Sequence, residues 1–307
     1  MKIALLTPTF ARDLERFRML RASLEAFGWD IPHYAVVQTE DLPAFRAAAL
    51  PSRSLHLLPT SEFLAPEVEA QRVRLARMPR ALWKFQRSLN KRLGLFPAFG
   101  CEGWNTQQLV KLGAAEKLGV DVLVSMDSDV LVTSPLRPDL FHRGDAIALY
   151  SRPTKADSEH AHWRQRARGR LGLDPHAGPH FHYLAHPFVF SREVLRGLHA
   201  RLESHNGMPW WQALTTMRIT HLSEFELYGA YAREIHGMRN LYETRPRTRW
   251  LIKAEERVES EKVIRAAVRD PLIDFLVVQA SHRWPIEPLV ATITDELRSA
   301  RGELASA

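Results

Sequence analysis

The chain has 307 residues, of which 45% are hydrophobic and 25% are charged, and its formal net charge is +7. These values are ordinary for a globular protein with one large core, and no apolar run is long enough to cross a bilayer. The single cysteine, Cys101, excludes an internal disulfide and is typical of a reducing compartment, so we expect a cytoplasmic protein. The positive charge indicates an anionic partner, and because no nucleic-acid-binding motif is present, we do not expect that partner to be nucleic acid.

Strands and helices are predicted to alternate along the first part of the chain. An apolar run at residues 3–6, before Thr7-Pro8-Thr9, predicts a first strand and a loop rather than a signal peptide. Apolar residues at helical spacing from Leu14 to Phe27 predict a helix that ends at Gly28, and strands are expected at residues 33–37 and 55–58. This alternation predicts an α/β fold with a mixed, mostly parallel sheet flanked by helices in a single domain.

A helix is also predicted after the basic, helically patterned segment at residues 60–100. Asn105 or Thr106 is expected to cap its N-terminus, and Gly119 is expected to end it. Its buried stripe is formed by apolar residues three or four positions apart, namely Leu109, Leu112, Ala115 and Leu118. Gln108 and Lys111 lie three residues apart on this helix, so their polar side chains are expected to converge.

The most informative motif is Asp127-Ser128-Asp129, which directly follows the apolar run from Val122 to Met126. A charged carboxylate beside a core strand is costly unless it is paired or bound to a metal. Two such carboxylates suit Mg²⁺ or Mn²⁺, and such a cation can hold a diphosphate. The alternative interpretation is an Asx-type turn of solvated residues that ends the strand.

The second half of the chain continues the α/β pattern. Strands are expected at residues 147–150, 188–190 and 275–279, with helices capped by Ser191 and Ser223. Residues 151–180 have a loop-like composition, rich in glycine and proline. We expect one domain over residues 1–297 and a polar, frayed tail over residues 298–307.

His282 follows the last expected strand and is a candidate third metal ligand. Loops that follow parallel strands share one edge of a sheet, so His282 is expected to meet Asp127 and Asp129 there. Imidazole together with carboxylate favours Mn²⁺ over Ca²⁺. The alternative is an ordinary histidine in a surface loop.

Residues 103–136 resemble the nucleotide-sugar-binding core of GT-A-type glycosyltransferases. The pattern Gln-Gln-x-x-Lys on a helix, a hydrophobic strand, Asp-Ser-Asp and then Pro-Leu is similar, more narrowly, to a bacterial group of such enzymes. HPFVFSREVL at residues 186–195 and LSEFELYGAYA at residues 222–232 are similar to later segments of that group. The resemblance extends from the first strand to about residue 282, and only these three blocks are specific.

The resemblance implies a GT-A-like, Rossmann-like fold and a metal-dependent transferase. Its donor would be a nucleotide-sugar, such as a UDP- or GDP-sugar, and its acceptor a bacterial glycan or glycolipid. Asp127 and Asp129, with Ser128 between them, would hold Mn²⁺ or Mg²⁺ on the donor diphosphate. Thr7 to Thr9 would meet the nucleoside, and Gln108 and Lys111 the ribose or phosphate oxygens.

Two carboxylates near the start of a predicted helix are candidates for the proton acceptor of such a reaction. Glu224, near a helix N-terminus, is the candidate catalytic carboxylate that takes a proton from the acceptor hydroxyl or binds its hydroxyls. Its alternative role is that of a first-turn glutamate favoured by the helix dipole. Glu226 is the other candidate carboxylate.

Six histidines fall between His160 and His186, a segment expected to form the acceptor side of the cleft. A zinc site is the alternative, although there is no cysteine ligand nearby and no His-Glu-x-x-His motif. Four arginines in the segment, namely Arg164, Arg166, Arg168 and Arg170, are expected to attract an anionic glycan or lipid-linked acceptor. That acceptor implies peripheral contact with the inner membrane surface.

Two rival functions remain open from the sequence. Phosphohydrolases of the haloacid-dehalogenase type also carry Asp-x-Asp after a strand. In those enzymes Thr or Val normally stands two residues beyond the second aspartate, where this chain has Leu131. The second rival is a non-catalytic glycan- or metal-binding protein of the same fold, because fold alone does not establish activity.

Overall fold

The computed structural model describes residues 1–48, 54–79, 81, 82, 85, 103–178, 180–215, 223–251, 260–279 and 290–299. The strands are β1 (Ile3–Thr9), β2 (His33–Val37), β3 (Leu55–Pro59), β4 (Val122–Ser125), β5 (Val130–Val132), β6 (His142–Arg143), β7 (Ala146–Tyr150), β8 (Arg152–Pro153), β9 (Phe181–His182), β10 (Phe188–Ser191), β11 (Leu241–Thr244), β12 (Thr248–Leu251) and β13 (Phe275–Val278). The helices are α1 (Leu14–Ala26), α2 (Leu42–Ala48), α3 (Pro66–Ala76), α4 (Gly103–Leu118), α5 (Ala161–Arg170), α6 (Arg192–Asn206), α7 (Trp210–Thr215), α8 (Glu224–Glu234) and α9 (Ser260–Arg269). Residues 290–299 are also helical.

The central sheet has five strands in the order β10-β4-β1-β2-β3. Neighbours β4, β1, β2 and β3 run parallel, and β10 is antiparallel to β4. Such a sheet buries both faces, which explains why β4 is apolar along nearly its whole length. The predicted α/β fold with a mixed, mostly parallel sheet in a single domain is confirmed, and the order is consistent with a Rossmann-like fold.

Helices cover the sheet and enclose one main hydrophobic core. Helix α4 packs on β1 and β4, and it also contacts α6 and α8. A smaller cluster lies around β2 and is formed by Phe17, Ala35, Val37, Leu42 and Phe45. The central strands are therefore buried in the core, and the carboxyl ends of β1, β2 and β4 lie along one edge of the sheet.

The chain leaves the central sheet at the acidic motif. Strand β5 pairs antiparallel with β13, with Leu131 opposite Leu276, in a separate three-stranded sheet that also contains β12. Strand β13 therefore does not belong to the central sheet, in contrast to the arrangement expected for His282. Its end still reaches the motif, because the Val278 amide donates to the Asp129 carbonyl at 2.9 Å. His282 itself lies outside the described residues.

Several predicted element boundaries are confirmed. Gly28 follows the first helix with a φ of +66°, in the left-handed region that favours glycine. The hydroxyl of Ser191 accepts from the Val194 amide, and that of Ser223 accepts from the Glu226 amide, so both serines cap helices as expected.

Three local predictions are wrong. Strand β1 continues through Thr9 rather than ending before Thr7, because pairing with β2 extends that far. Helix α4 is already helical at Gly103, so neither Asn105 nor Thr106 caps it. The loop-like segment at residues 151–180 contains helix α5, whose buried Ala167 packs in the core despite the surrounding glycines and prolines.

Within the described residues, no helix combines the length and the apolar composition that a membrane span requires. The C-terminal helix continues through residue 299, which is past the expected start of the polar tail at residue 298.

Candidate functional site

The carboxyl ends of β1, β2 and β4 open into a cavity of about 320 Å³, here called the first cavity. In open parallel sheets this edge is where ligands bind. Its lining comes from three strand ends and from the starts of α1 and α4, namely Pro8, Phe10, Asp13, Arg16, Gln38, Gly103, Trp104, Gln107, Asp127, Ser128 and Asp129. The predicted acidic motif therefore lies in a cavity at the end of a central strand.

Lys111 links the acidic motif to helix α8. Its Nζ lies 2.8 Å from Asp127 Oδ1 and 2.9 Å from Glu224 Oε1. Burial alone would lower the pKa of Lys111, but the two carboxylates outweigh burial and raise it. Lys111 is therefore a charged ammonium shared by two carboxylates, and it is only 3% exposed.

The two carboxylates respond differently to this shared cation. Burial acts to raise the pKa of Asp127, but Lys111 and His186 outweigh it, and the net shift is downward. For Glu224, burial is the stronger effect and its pKa is raised in spite of Lys111. Asp127 thus stays ionised, with its side chain 32% exposed, whereas that of Glu224 is only 2% exposed.

His186 lies on the other side of Asp127, and sequence reasoning did not single it out for this position. Its Nε2 is 3.7 Å from Asp127 Oδ2, and its ring packs against Phe225 and Trp250. Burial lowers the pKa of His186 to about 4 despite the nearby carboxylate, so the ring is neutral at pH 7. The antiparallel pairing of Phe188 with Ser125 brings it there, and only the strand order reveals this pairing.

Ser128 fixes the turn of the motif on the end of the first strand. Its Oγ donates to Thr9 Oγ1 at 2.8 Å, and both residues are buried. Thr7, by contrast, is fully buried and its hydroxyl contacts His33 Nε2 at 2.9 Å. Of the first-strand residues expected to meet a nucleoside, Thr7 and Thr9 are thus engaged within the fold, and Pro8 lines the first cavity.

The two glutamines of α4 differ from the expectation. Gln107, rather than Gln108, lines the first cavity. Gln108 is 2% exposed, and neither its amide oxygen nor its amide nitrogen has a hydrogen-bond partner in the described part of the chain. Adjacent helical residues point about 100° apart, so sequence spacing alone did not decide which glutamine faces the cavity.

A larger cavity of about 660 Å³, here called the second cavity, lies on the far side of His186. It is lined by Tyr150, Ser151, Arg152, Glu159, His160, His182, Leu184, Ala185, His186, Arg245, Pro246, Thr248, Trp250 and Gln279. His186 borders this cavity and Asp127 borders the first, so the 3.7 Å contact between them joins the linings of the two cavities. Glu224 lines neither of them.

The arginines of α5 do not form the free basic surface that was expected. Arg164 donates to the Ala156 carbonyl, Arg168 to the Asp174 carbonyl and to Glu234, and Arg170 to Asn206. Their charges therefore stabilise the local chain, and of the four only Arg166 is exposed. Arg152 and Arg245 are the arginines that line the second cavity.

A metal site made of protein ligands alone is not found in the described residues, where no three His, Cys, Asp or Glu side chains are placed to hold one ion. The alternative zinc site of the histidine-rich segment is therefore absent from that part. Asp127 and Asp129 still fit a cation of another kind, since both line the first cavity. Mg²⁺ is commonly held by one or two carboxylates and completes its shell with substrate phosphates and water.

The chain belongs to the Family of unknown function (DUF6492), whose model matches residues 1–297. The match covers every residue that lines either cavity. No curated protein matches the chain.

Proposed function

We propose that this member of the DUF6492 family is a metal-dependent glycosyltransferase of the GT-A type. It transfers a sugar from a nucleotide-diphosphate donor, such as a UDP- or GDP-sugar, to a bacterial glycan or glycolipid. One observation carries the proposal: the carboxylates of Asp127 and Asp129 line a cavity at the carboxyl end of a central parallel strand, and a larger cavity adjoins it.

The first cavity is assigned to the donor. Its opening beside Pro8 and Gln38 suits a nucleoside, and Trp104, which is 44% exposed, offers a ring on which a base can stack. Asp127 and Asp129 would hold the cation, which neutralises the charge that develops on the departing diphosphate. Arg16 lines the same cavity, where its guanidinium lies 3.6 Å from the carboxylate of Asp13.

Lys111 and Glu224 support the donor site rather than the acceptor. Lys111 holds Asp127 ionised and in place through the 2.8 Å contact. Glu224 is buried against Lys111 and lines neither cavity, so we assign it to the positioning of that lysine. The carboxylate that was expected to take the acceptor proton is thus given a supporting role.

The second cavity is assigned to the acceptor. It combines a flat aromatic side chain, Trp250, with the charged and polar groups of Arg152, Arg245 and Glu159. Sugar rings bind to such combinations of one apolar face and several hydrogen-bonding groups. The arginines favour an acidic or lipid-linked acceptor, which is consistent with a cytoplasmic protein that works at the inner membrane surface.

The test is donor binding by the purified full-length chain. Isothermal titration calorimetry with UDP-glucose and GDP-mannose should show binding that requires Mn²⁺ or Mg²⁺. Asp129→Ala should weaken this binding at least tenfold, roughly the range reported for altered metal sites. Asp145→Ala is the matched control, because Asp145 is an exposed aspartate in a turn outside both cavities.

The same assay separates the rival functions. Binding by the Asp129→Ala variant that equals wild-type binding contradicts the proposal. Release of phosphate from p-nitrophenyl phosphate without any nucleotide-sugar binding indicates a phosphohydrolase. Donor binding with no release of nucleoside diphosphate, whatever acceptor is supplied, indicates a non-catalytic binding protein.

A further inference from the structure

His182, which lines the second cavity, forms a histidine–carboxylate pair with Glu226 that the donor site does not use. His182 Nδ1 lies 2.6 Å from Glu226 Oε1, and the same oxygen accepts from the Tyr183 amide at 3.0 Å. His182 is 6% exposed and Glu226 is 1% exposed. Buried carboxylates are costly, so a pair of this kind must be held by the surrounding fold.

The packing of α8 against β9 holds the pair in place. Ser223 caps α8 and receives the Glu226 amide, which puts Glu226 in the first helical turn. One turn later, the Tyr183 ring lies against Gly229 so closely that a Cβ there would sit 2.1 Å from a ring atom. Tyr183 therefore fixes its neighbour His182 over the start of the helix.

The hydrogen bond to Glu226 determines which ring nitrogen remains for chemistry. A carboxylate accepts hydrogen bonds, so Nδ1 of His182 carries the proton that it donates to Glu226. In the neutral form of a ring held this way, Nε2 carries the lone pair that a base requires. His182 lines the second cavity, where the acceptor is assigned.

We propose that His182 is the catalytic base of the transfer and that Glu226 is its positioning residue. This inference rests on the proposed function. The acceptor hydroxyl gives its proton to His182 Nε2, and its oxygen forms a bond to the anomeric carbon of the donor. The bond from that carbon to the diphosphate oxygen breaks, and the nucleoside diphosphate leaves with the electron pair. Glu226 stabilises the imidazolium that forms.

Other titratable groups near the two cavities are less suited to this role. Glu224 is engaged by Lys111 and lines neither cavity. His186 is enclosed by Phe225 and Trp250 and faces Asp127. His160 stacks on His182 at 5.3 Å between ring centroids. The charged groups Glu159, Arg152 and Arg245 complete the surroundings of the base.

The test uses hydrolysis of the donor, in which water takes the place of the unidentified acceptor. The probe is whichever of UDP-glucose and GDP-mannose binds in calorimetry, and the readout is kcat and KM for release of nucleoside diphosphate. His182→Ala should lower kcat by about 10²-fold, the usual contribution of a general base, with KM unchanged. Added imidazole should restore part of the activity of this variant.

Two further variants define the roles within the cavity. Glu226→Gln should lower kcat with KM unchanged, because the amide still accepts from Tyr183 but no longer stabilises an imidazolium. His176→Ala is the matched control, because His176 is an exposed histidine that lines neither cavity, and this variant should keep the wild-type kcat. Should alanine at position 182 prevent folding, His182→Asn retains a donor toward Glu226.

The outcomes distinguish this inference from the proposed function. A wild-type kcat in His182→Ala or His182→Asn, with donor binding intact, overturns the base assignment and leaves the donor site standing. Donor binding by the wild type with no hydrolysis also overturns it, since a base in this cavity should activate water. Absence of donor binding, or binding that ignores Asp129→Ala, overturns the proposed function and the base assignment with it.

Discussion

Lys111 is the residue on which the geometry of the candidate site most depends. It is the cation between Asp127 and Glu224, which come from a strand end and from a helix more than 90 residues further along the chain. Removal of one partner from a buried ion pair is far more destabilising than removal of the whole pair, because a charge is left uncompensated. Replacement of Lys111 should therefore lower the stability of the fold even when no ligand is bound.

Lys111→Met should reduce the free energy of unfolding at pH 7 by about 3–5 kcal/mol, as expected for a broken buried pair. Burial already raises the pKa of Glu224, and loss of the ammonium raises it further. A raised carboxyl pKa stabilises the folded state at low pH and ceases to do so as pH rises through the folded value. The variant should therefore lose less stability at pH 5 than at pH 8, as measured by urea denaturation.

The matched control for this substitution is Lys117→Met. Lys117 is exposed on the same helix and donates to the Glu62 carbonyl. Its replacement should cost less than about 1 kcal/mol, as is usual for a surface substitution. Equal losses for the two variants would show that Lys111 is not the buried partner of two carboxylates.

At the scale of elements, α8 packs very closely against the strand β9 and the following Tyr183. It aligns His182 with Glu226, and it leaves no room for a side chain at position 229. The position of the histidine–carboxylate pair is thus a consequence of how closely two elements approach each other.

Gly229→Ala should lower the free energy of unfolding by about 1–3 kcal/mol, because overpacking forces Tyr183 or the helix to move. Gly113→Ala is the control, since a Cβ there would lie 3.6 Å from Trp210 and 4.0 Å from the Phe63 carbonyl, which are ordinary van der Waals contacts. This control should be neutral or stabilising, because alanine is the better helix former. Chemical denaturation of both variants tests the prediction, and a stable Gly229→Ala protein contradicts it.

At the scale of the whole molecule, buried histidines make stability depend on pH. Burial lowers the pKa of His199 to about 4, and it lowers that of His33 well below the usual value. As the pH falls, such a histidine is protonated at a higher pH in the unfolded state than in the folded state. The stability that its neutral form provides is therefore lost as pH falls from about 6.5 toward 4.

The free energy of unfolding should thus decrease from about pH 7 to about pH 4.5, by on the order of 1–2 kcal/mol for each such histidine. His199→Gln should reduce this dependence, and His176→Gln, on an exposed loop, should leave it unchanged. Urea denaturation across this pH range provides the measurement. A dependence that is identical in the wild type and His199→Gln contradicts the assignment.

The sequence by itself determined most elements and the position of the acidic motif. The strands at residues 33–37 and 188–190, the caps at Ser191 and Ser223, and the acidic pair after β4 were all predicted. These features depend on apolar periodicity and turn chemistry within a few residues, which a single sequence displays directly. Helix α5 was missed because glycines and prolines on both sides hid a short helical run.

Only the tertiary structure decided which side chains meet. The pairing of Lys111 with Glu224, the approach of His186 to Asp127 and the contact of His182 with Glu226 each join distant parts of the chain. They depend on strand order, on the antiparallel insertion of β10 beside β4, and on the face that each helix presents. A one-residue change in strand register or about 100° of helix rotation redirects every such side chain, so local patterns do not specify these contacts.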